Sequence, residues 1–212
     1  MRKTIYPIMK RIFQLFTLFL ALNIWAQNPQ NDSIQSEKYT IILDAGHGGG
    51  DSGVKKEEYQ EKDIVLKIAQ IIQERNPYSS IDFVLLRTGD EQIINTTRAK
   101  LINEIKPDLV LSLHVNYDIK DSKNGTEIHV SPMNSYFEEA KLLGEKIGQN
   151  VSSLGFENLG IIETNSKVLR DSNAPTIMIE IGYLTNEKDR KYLINEANYS
   201  KIADKILEAL KN

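Results

Sequence analysis

The chain contains no cysteine. That absence excludes disulfides, thiolate zinc sites and a lipid anchor on cysteine, so an exported form would have to fold on its core alone. There is no Lys/Arg stripe of the kind that marks a nucleic-acid partner, and no low-complexity tract or internal repeat. The one long apolar stretch, Ile12 through Trp25, is interrupted by Gln14, Thr17 and Asn23. It is shorter than the roughly 20 residues a membrane span needs.

Arg2, Lys3, Lys10 and Arg11 precede that stretch, which ends at Ala26. Residues 1–26 therefore read as a secretory signal peptide, and export to the periplasm or the medium is expected. Its removal takes away four cations and no acid, moving the formal charge from −3 to −7. An acidic mature protein again argues against nucleic acid. Residues 27–38, rich in Asn, Gln, Ser and Asp, have almost nothing to bury and read as a disordered linker. The rest, residues 39–212, is of ordinary size for one domain and long enough to bury a substantial core. A monomer without a transmembrane segment is expected.

Within that domain short runs rich in β-branched residues alternate with helical patterns. Strands are predicted over Thr40 to Leu43, Ile81 to Leu86, Leu109 to Leu113, Thr126 to Val130 and Thr176 to Ile181, mostly continuous in their apolarity, as suits strands covered on both faces. Helical spacing appears at Ile64, Ile68, Ile71 and Ile72, at Ala99, Ile102 and Ile105, and from Phe137 through Ala140, Leu143 and Ile147 to Val151. Asn186 is placed to cap a helix over Glu187 to Ile194, and Ile202, Ile206, Leu207 and Leu210 mark a last one. The alternation predicts an α/β fold: a three-layer sandwich with a mostly parallel central sheet flanked by helices.

Gly48-Gly49-Gly50-Asp51-Ser52-Gly53 satisfies the dinucleotide pattern G-x-G-x-x-G, but that pattern needs a helix opening at the last glycine. Here helical spacing begins only at Ile64, so a nucleotide is not expected. His47 stands at the head of this loop, in Asp44-Ala45-Gly46-His47-Gly48-Gly49. A second histidine lies in Ser112-Leu113-His114-Val115-Asn116, and Glu180 closes the apolar run Ile177-Met178-Ile179. All three follow strand-type segments, and a parallel sheet would deliver them to one edge, where open α/β sheets keep their sites.

Catalytic zinc takes three ligands from His and Asp/Glu and leaves a position for water. His47 and His114 supply two nitrogens. Glu61, which opens the helix returning from the His47 loop, is the best third candidate; Glu57, Glu58 and Asp63 are its rivals, and any of them also suits a solvated helix start. Glu180 is costly to bury without a partner. Water at a metal centre would be one partner, with Glu180 as general acid/base; a salt bridge to Arg98 or Arg170 would be another.

Taken together, these segments resemble the zinc-dependent N-acetylmuramoyl-L-alanine amidases, whose catalytic domain begins with a strand and Asp-x-Gly-His-Gly. The resemblance runs from about Ile41 to the C-terminus. It takes in Glu61-Lys62-Asp63, Arg98 with Ala99 and Asn103, Ser112-Leu113-His114-Val115-Asn116, Val168-Leu169-Arg170 and Ile179-Glu180-Ile181-Gly182-Tyr183-Leu184-Thr185-Asn186. It implies one zinc ion per chain held by His47, Glu61 and His114, Glu180 as the catalytic acid/base, and peptidoglycan as substrate. Other readings are a carboxypeptidase-like zinc hydrolase or a wall-binding module that has lost catalysis. Arg98 and Asn103 are expected to fix helix packing, and Asp44 and Asn116 to orient the neighbouring histidines. His129 matches no ligand position of the family and is left outside the site. With no long insertion between His114 and Glu180, an uncovered site is expected.

Overall fold

The computed structural model describes residues 38–211. The export signal expected over residues 1–26, and all of the linker but Lys38, lie outside the described residues. Among those described, no helix is long and apolar enough to cross a membrane.

Six strands form the central sheet: β1 (Tyr39–Ala45), β4 (Ile81–Leu85), β5 (Leu109–Asn116), β6 (Thr126–Val130), β7 (Asn158–Glu163) and β8 (Thr176–Tyr183). Their order across the sheet is β4-β1-β5-β8-β6-β7. The first four are parallel, whereas β6 runs antiparallel to β8 and parallel to β7. A small antiparallel hairpin, β2 (Lys55–Lys56) with β3 (Tyr59–Gln60), stands apart. The helices are α1 (Glu61–Glu74), α2 (Asn95–Ile105), α3 (Phe137–Ser152), α4 (Lys167–Asp171), α5 (Glu187–Leu193) and α6 (Tyr199–Ala209).

The continuous apolar runs become strands covered on both faces, as in β1, where Ile41 through Ala45 are all buried, and β5, where Leu109 through Leu113 are. The larger core lies on one face. There Ile41, Leu43, Leu111, Leu113 and Ile179 meet Ile64, Ile68 and Ile72 of α1, Ile147 of α3 and Ile202 and Ile206 of α6. A smaller cluster on the other face joins Ile42 and Val110 to Ile102 of α2 and Val168 of α4. Ile68 has no exposed surface; truncating such a side chain to alanine costs about 2–5 kcal/mol. Asn186 caps α5 as the sequence suggests, its side chain accepting from the backbone N–H groups of Lys188 and Asp189.

Two features depart from the sequence reading. β7 was not anticipated, since Gly160 at φ 79° interrupts its apolar pattern. β6 is not covered on both faces: Thr126, Ile128 and Val130 are buried, while Glu127 and His129 turn to the half-open side. That alternation leaves polar groups on the sheet face beside Glu180.

Candidate metal centre and its surroundings

The fold gathers the four site residues at the C-terminal end of the parallel strands. Register alone sets one row: His114 on β5 is opposite Glu180 on β8, which is opposite Glu127 on β6. His47 joins from the loop after β1 and Glu61 from the first turn of α1.

His47 occupies the left-handed region at φ 59°, a conformation uncommon outside glycine. It begins a tight turn in which Gly48 and Asp51 exchange backbone hydrogen bonds of 2.9 and 3.1 Å. The turn brings the Asp51 carboxylate to 2.9 Å from His47 Nδ1. With that nitrogen engaged, Nε2 faces Glu61 Oε1 at 3.1 Å. The same Glu61 oxygen lies 2.8 Å from His114 Nδ1 and accepts from the Val115 N–H at 3.1 Å, while Oε2 accepts from the Val54 N–H at 2.9 Å. The imidazole centroids are 5.1 Å apart. One donor atom from each of His47, Glu61 and His114 lies within 4.8 Å of the other two.

Two glycines make this convergence possible. A Cβ on Gly46 would fall 2.3 Å from His114 Cε1, and one on Gly53 would fall 2.4 Å from Glu61 Oε2 and 2.6 Å from His47 Cδ2. The glycine-rich loop therefore makes room for side chains. The helix a dinucleotide would need opens only at Glu61, past the β2–β3 hairpin.

Electrostatics binds the three groups to one another. Burial pushes Glu61 toward the neutral form, yet hydrogen bonds from His114 and His47 outweigh it and hold the carboxyl at about 2. Burial pulls His47 down, but Glu61 and Asp51 raise it to about 9; His114 is raised against its own burial, mainly by Glu61. Two imidazoles and one carboxylate form a donor set that catalytic zinc takes, and among the described residues this buried carboxylate pairs with no cation other than the two imidazoles. The residues fit such an ion.

Glu180 differs in kind. Its Oε2 is buried without a hydrogen-bond partner among the described residues. Burial pushes its pKa up to about 7; His114 opposes that rise, and the charges of Glu61 and Glu127 add to it. The alternative salt bridges are not made: Arg98 pairs with Asp44, and Arg170 with Asp171 at 2.6 Å. Glu127, next to it, has its pKa lowered against its own partial burial by hydrogen bonds with Tyr183 Oη at 2.5 Å and His129 Nε2 at 2.9 Å, and it also accepts from Asn116 Nδ2 at 3.0 Å. Neighbouring carboxylates whose surroundings drive their pKa values apart are a mark of acid/base sites.

The expected supporting roles are only partly met. Asp44 and Asn116 do not touch the histidines; Asp44 accepts from Arg98 and from Ser112 Oγ at 2.9 Å, and Asn116 serves Glu127. Asn103 links α2 to α4 through the Asp171 carbonyl and the Asn173 N–H. Arg98 does more than pack its helix, since it also donates to the carbonyls of Ala45 and His47. Arg87, unnoticed in the sequence, donates to the carbonyls of Ala45, Gly46, Lys62 and Gly89. Together these arginines fix the backbone from which His47 projects. Asp51 is a further support that the sequence reading does not single out, its only signal being its spacing four residues after His47.

Among the described residues no helix covers the site. The segment between His114 and Glu180 contains α3, which turns Ala140, Gly144, Ile147 and Gly148 to the core. Two cavities of about 410 and 590 Å³ meet at His47, His114 and Met178.

Residues 41–212 match the family model of N-acetylmuramoyl-L-alanine amidases. The Bacillus subtilis (strain 168) protein YqiI is 30% identical over 174 residues, covering 82% of this chain and 84% of its own. The "Probable cell wall amidase LytH" of Staphylococcus aureus is 27% identical over 194 residues, which are 90% of this chain but 63% of that longer protein. Among solved structures, the N-acetylmuramoyl-L-alanine amidase from Clostridium difficile 630 superposes with a TM-score of 0.77 at 32% identity, covering 82% of this chain and 96% of that one. The catalytic domain of CwlV from Bacillus (Paenibacillus) polymyxa var. colistinus superposes with a TM-score of 0.72 at 26% identity, covering 81% and 95%. With the match running from residue 41 to residue 212, the chain belongs to the N-acetylmuramoyl-L-alanine amidase family.

Proposed function

We propose that this protein hydrolyses peptidoglycan at the amide joining the lactyl group of N-acetylmuramic acid to the L-alanine of the stem peptide. One zinc ion per chain would be held by His47, Glu61 and His114. The observation that carries the reading is the convergence of these three donors beside an unpaired, buried carboxylate. When bound, such an ion supplies Lewis-acid polarisation of a carbonyl and a lowered pKa for water.

The chain's own part follows from the geometry. Glu180, poised near neutrality, accepts a proton from the attacking water. A C–O bond forms at the acyl carbon and the C–N bond breaks. Glu180 then delivers the proton to the departing nitrogen, so the products are a lactyl carboxylic acid and a peptide with a free amino terminus. Asp51 keeps His47 in its tautomer and orientation. Arg98 and Arg87 hold the loop backbone in place.

All four residues lie within the catalytic domain over residues 39–212, which acts as a monomer on this reading. An export signal over residues 1–26 and a linker over 27–38 would carry it to the periplasm or the medium, where the wall lies. Mass spectrometry of purified peptidoglycan digested by wild type and by Glu180→Ala, with zinc content measured on both, tests the proposal. New L-alanine amino termini from wild type alone support it. Cleavage at another bond, or equal cleavage by the variant, overturns it.

A further inference from the structure

The two cavities share His47, His114 and Met178 but differ in what else reaches them. Glu180 and Glu61 line only the larger one. Asp51, Arg98 and Lys167 line only the smaller. On the reading above, the scissile carbonyl lies over His47, Glu61 and His114, and its two substituents leave on opposite sides. The departing nitrogen must come within hydrogen-bond reach of Glu180, about 2.6–3.2 Å. Whatever that nitrogen carries therefore extends into the cavity of Glu180, and the acyl substituent takes the other.

Charge points the same way. Arg98, Lys167 and Lys55 are the cationic residues among those lining the two cavities. Arg98 is committed to Asp44, and Lys167 to Asp171 at 2.7 Å. Lys55, exposed in the cavity of Glu180, makes no ion pair among the described residues. A lysine without an ion pair among the described residues thus lines the cavity where the departing group would lie, and a stem peptide bears free carboxylates. The smaller cavity instead presents the neutral amide and hydroxyl groups of Asn95, Thr96 and Ser166, which suit a sugar.

We propose that the site has a fixed polarity: the stem peptide lies beside Glu180 with a carboxylate on Lys55, and the N-acetylmuramoyl sugar lies in the cavity lined by Asn95, Thr96 and Lys167. The inference rests on the amide-cleavage reading and adds to it the orientation of the substrate and the residue that reads peptide charge.

Steady-state kinetics on two synthetic muramoyl peptides, identical except for a free α-carboxylate or a carboxamide on the second residue, provide the test. Wild type is expected to show a KM roughly threefold lower for the carboxylate, the scale of an exposed ion pair. Lys55→Met removes the preference, Lys55→Glu reverses it, and Lys167→Glu retains it. Binding of the free stem peptide to Glu180→Gln, followed by calorimetry, gives a readout independent of turnover: adding Lys55→Glu weakens it, and adding Lys167→Glu does not. Hydrolysis with a charge preference that survives Lys55→Glu, or that disappears in Lys167→Glu, overturns the orientation while leaving the amidase reading intact. Absence of cleavage of either substrate by zinc-loaded wild type overturns both.

Discussion

His114 and Glu180 are register partners on adjacent parallel strands, so the imidazole of the proposed metal site and the buried carboxylate are held side by side by sheet hydrogen bonds. Loop motion does not enter their spacing. A group fixed in this way can be altered chemically with little disturbance to its neighbours.

Glu180→Gln keeps the shape of the side chain and removes its capacity to carry a proton. The turnover number should fall by about 10²–10⁴-fold, the usual contribution of general acid/base catalysis, while zinc content and thermal stability stay close to wild type. Initial rates of amine release, with metal analysis on the same samples, decide the matter. A variant that turns over like wild type would exclude Glu180 from proton transfer.

Asp51→Ala removes the carboxylate 2.9 Å from His47 Nδ1 and leaves every proposed ligand in the chain. Partners of this kind are worth about 10–100-fold in metal affinity or activity. Competition against a chelator should show a loss of that order in affinity, with much of the rate recovered at saturating zinc. Unchanged affinity would mean that the turn alone orients the ring.

The ligand cluster predicts opposite pH responses for metal-free and metal-loaded protein. In the metal-free state His47 is raised from 6.5 to about 9; its stabilising contribution is complete below pH 6.5 and is lost as pH climbs through 9. Glu61 is lowered from 4.5 to about 2, and its contribution is present above pH 4.5 and lost as pH falls toward 2. Chelated protein should therefore lose stability between pH 6.5 and 9. Metal binding needs the neutral imidazole, so loaded protein should gain there, and zinc uptake at pH 7 should release protons. Thermal melts with and without chelator, and calorimetry in buffers of different ionisation enthalpy, measure both effects. Chelated protein that becomes more stable toward pH 9 would contradict the assignment.

Gly53→Ala should damage stability and metal affinity together. The residue sits at φ 61°, and its new Cβ would lie 2.4 Å from Glu61 Oε2. The left-handed backbone alone costs about 1–2 kcal/mol, and displacement of Glu61 adds to that. Gly155→Ala is the control, since its φ is 105° but nothing lies within 4 Å of the added carbon. It should lower the melting temperature and leave zinc affinity unchanged.

Much of this site is visible in the sequence because its key residues follow apolar runs that are hard to mistake for anything but strands. The runs before His47, His114 and Glu180 become β1, β5 and β8, and parallel pairing does the rest. Glu61 was harder to single out. Glu57 lies at the turn of the β2–β3 hairpin at φ 57°, Glu58 and Asp63 are exposed, and only the hairpin's geometry turns Glu61 inward.

The Glu127 cluster was not legible for a different reason. Its approach to Glu180 depends on β6 running antiparallel to β8, and no local pattern specifies which strand a neighbour will choose. His129, set aside as a ligand, proves to be a hydrogen-bond partner of Glu127 at 2.9 Å on the rim of the site.

β8 is the last strand in the chain, yet it lies in the interior of the sheet between β5 and β6. Residues 47 through 114 contain the whole proposed ion-holding set, and the proposed acid/base arrives only with this late central strand. A partly folded chain lacking β8 has neither Glu180 nor a continuous connection to β6 and β7. Hydrolytic competence is thus a property of the completed topology, and an unfinished molecule is a blank cartridge.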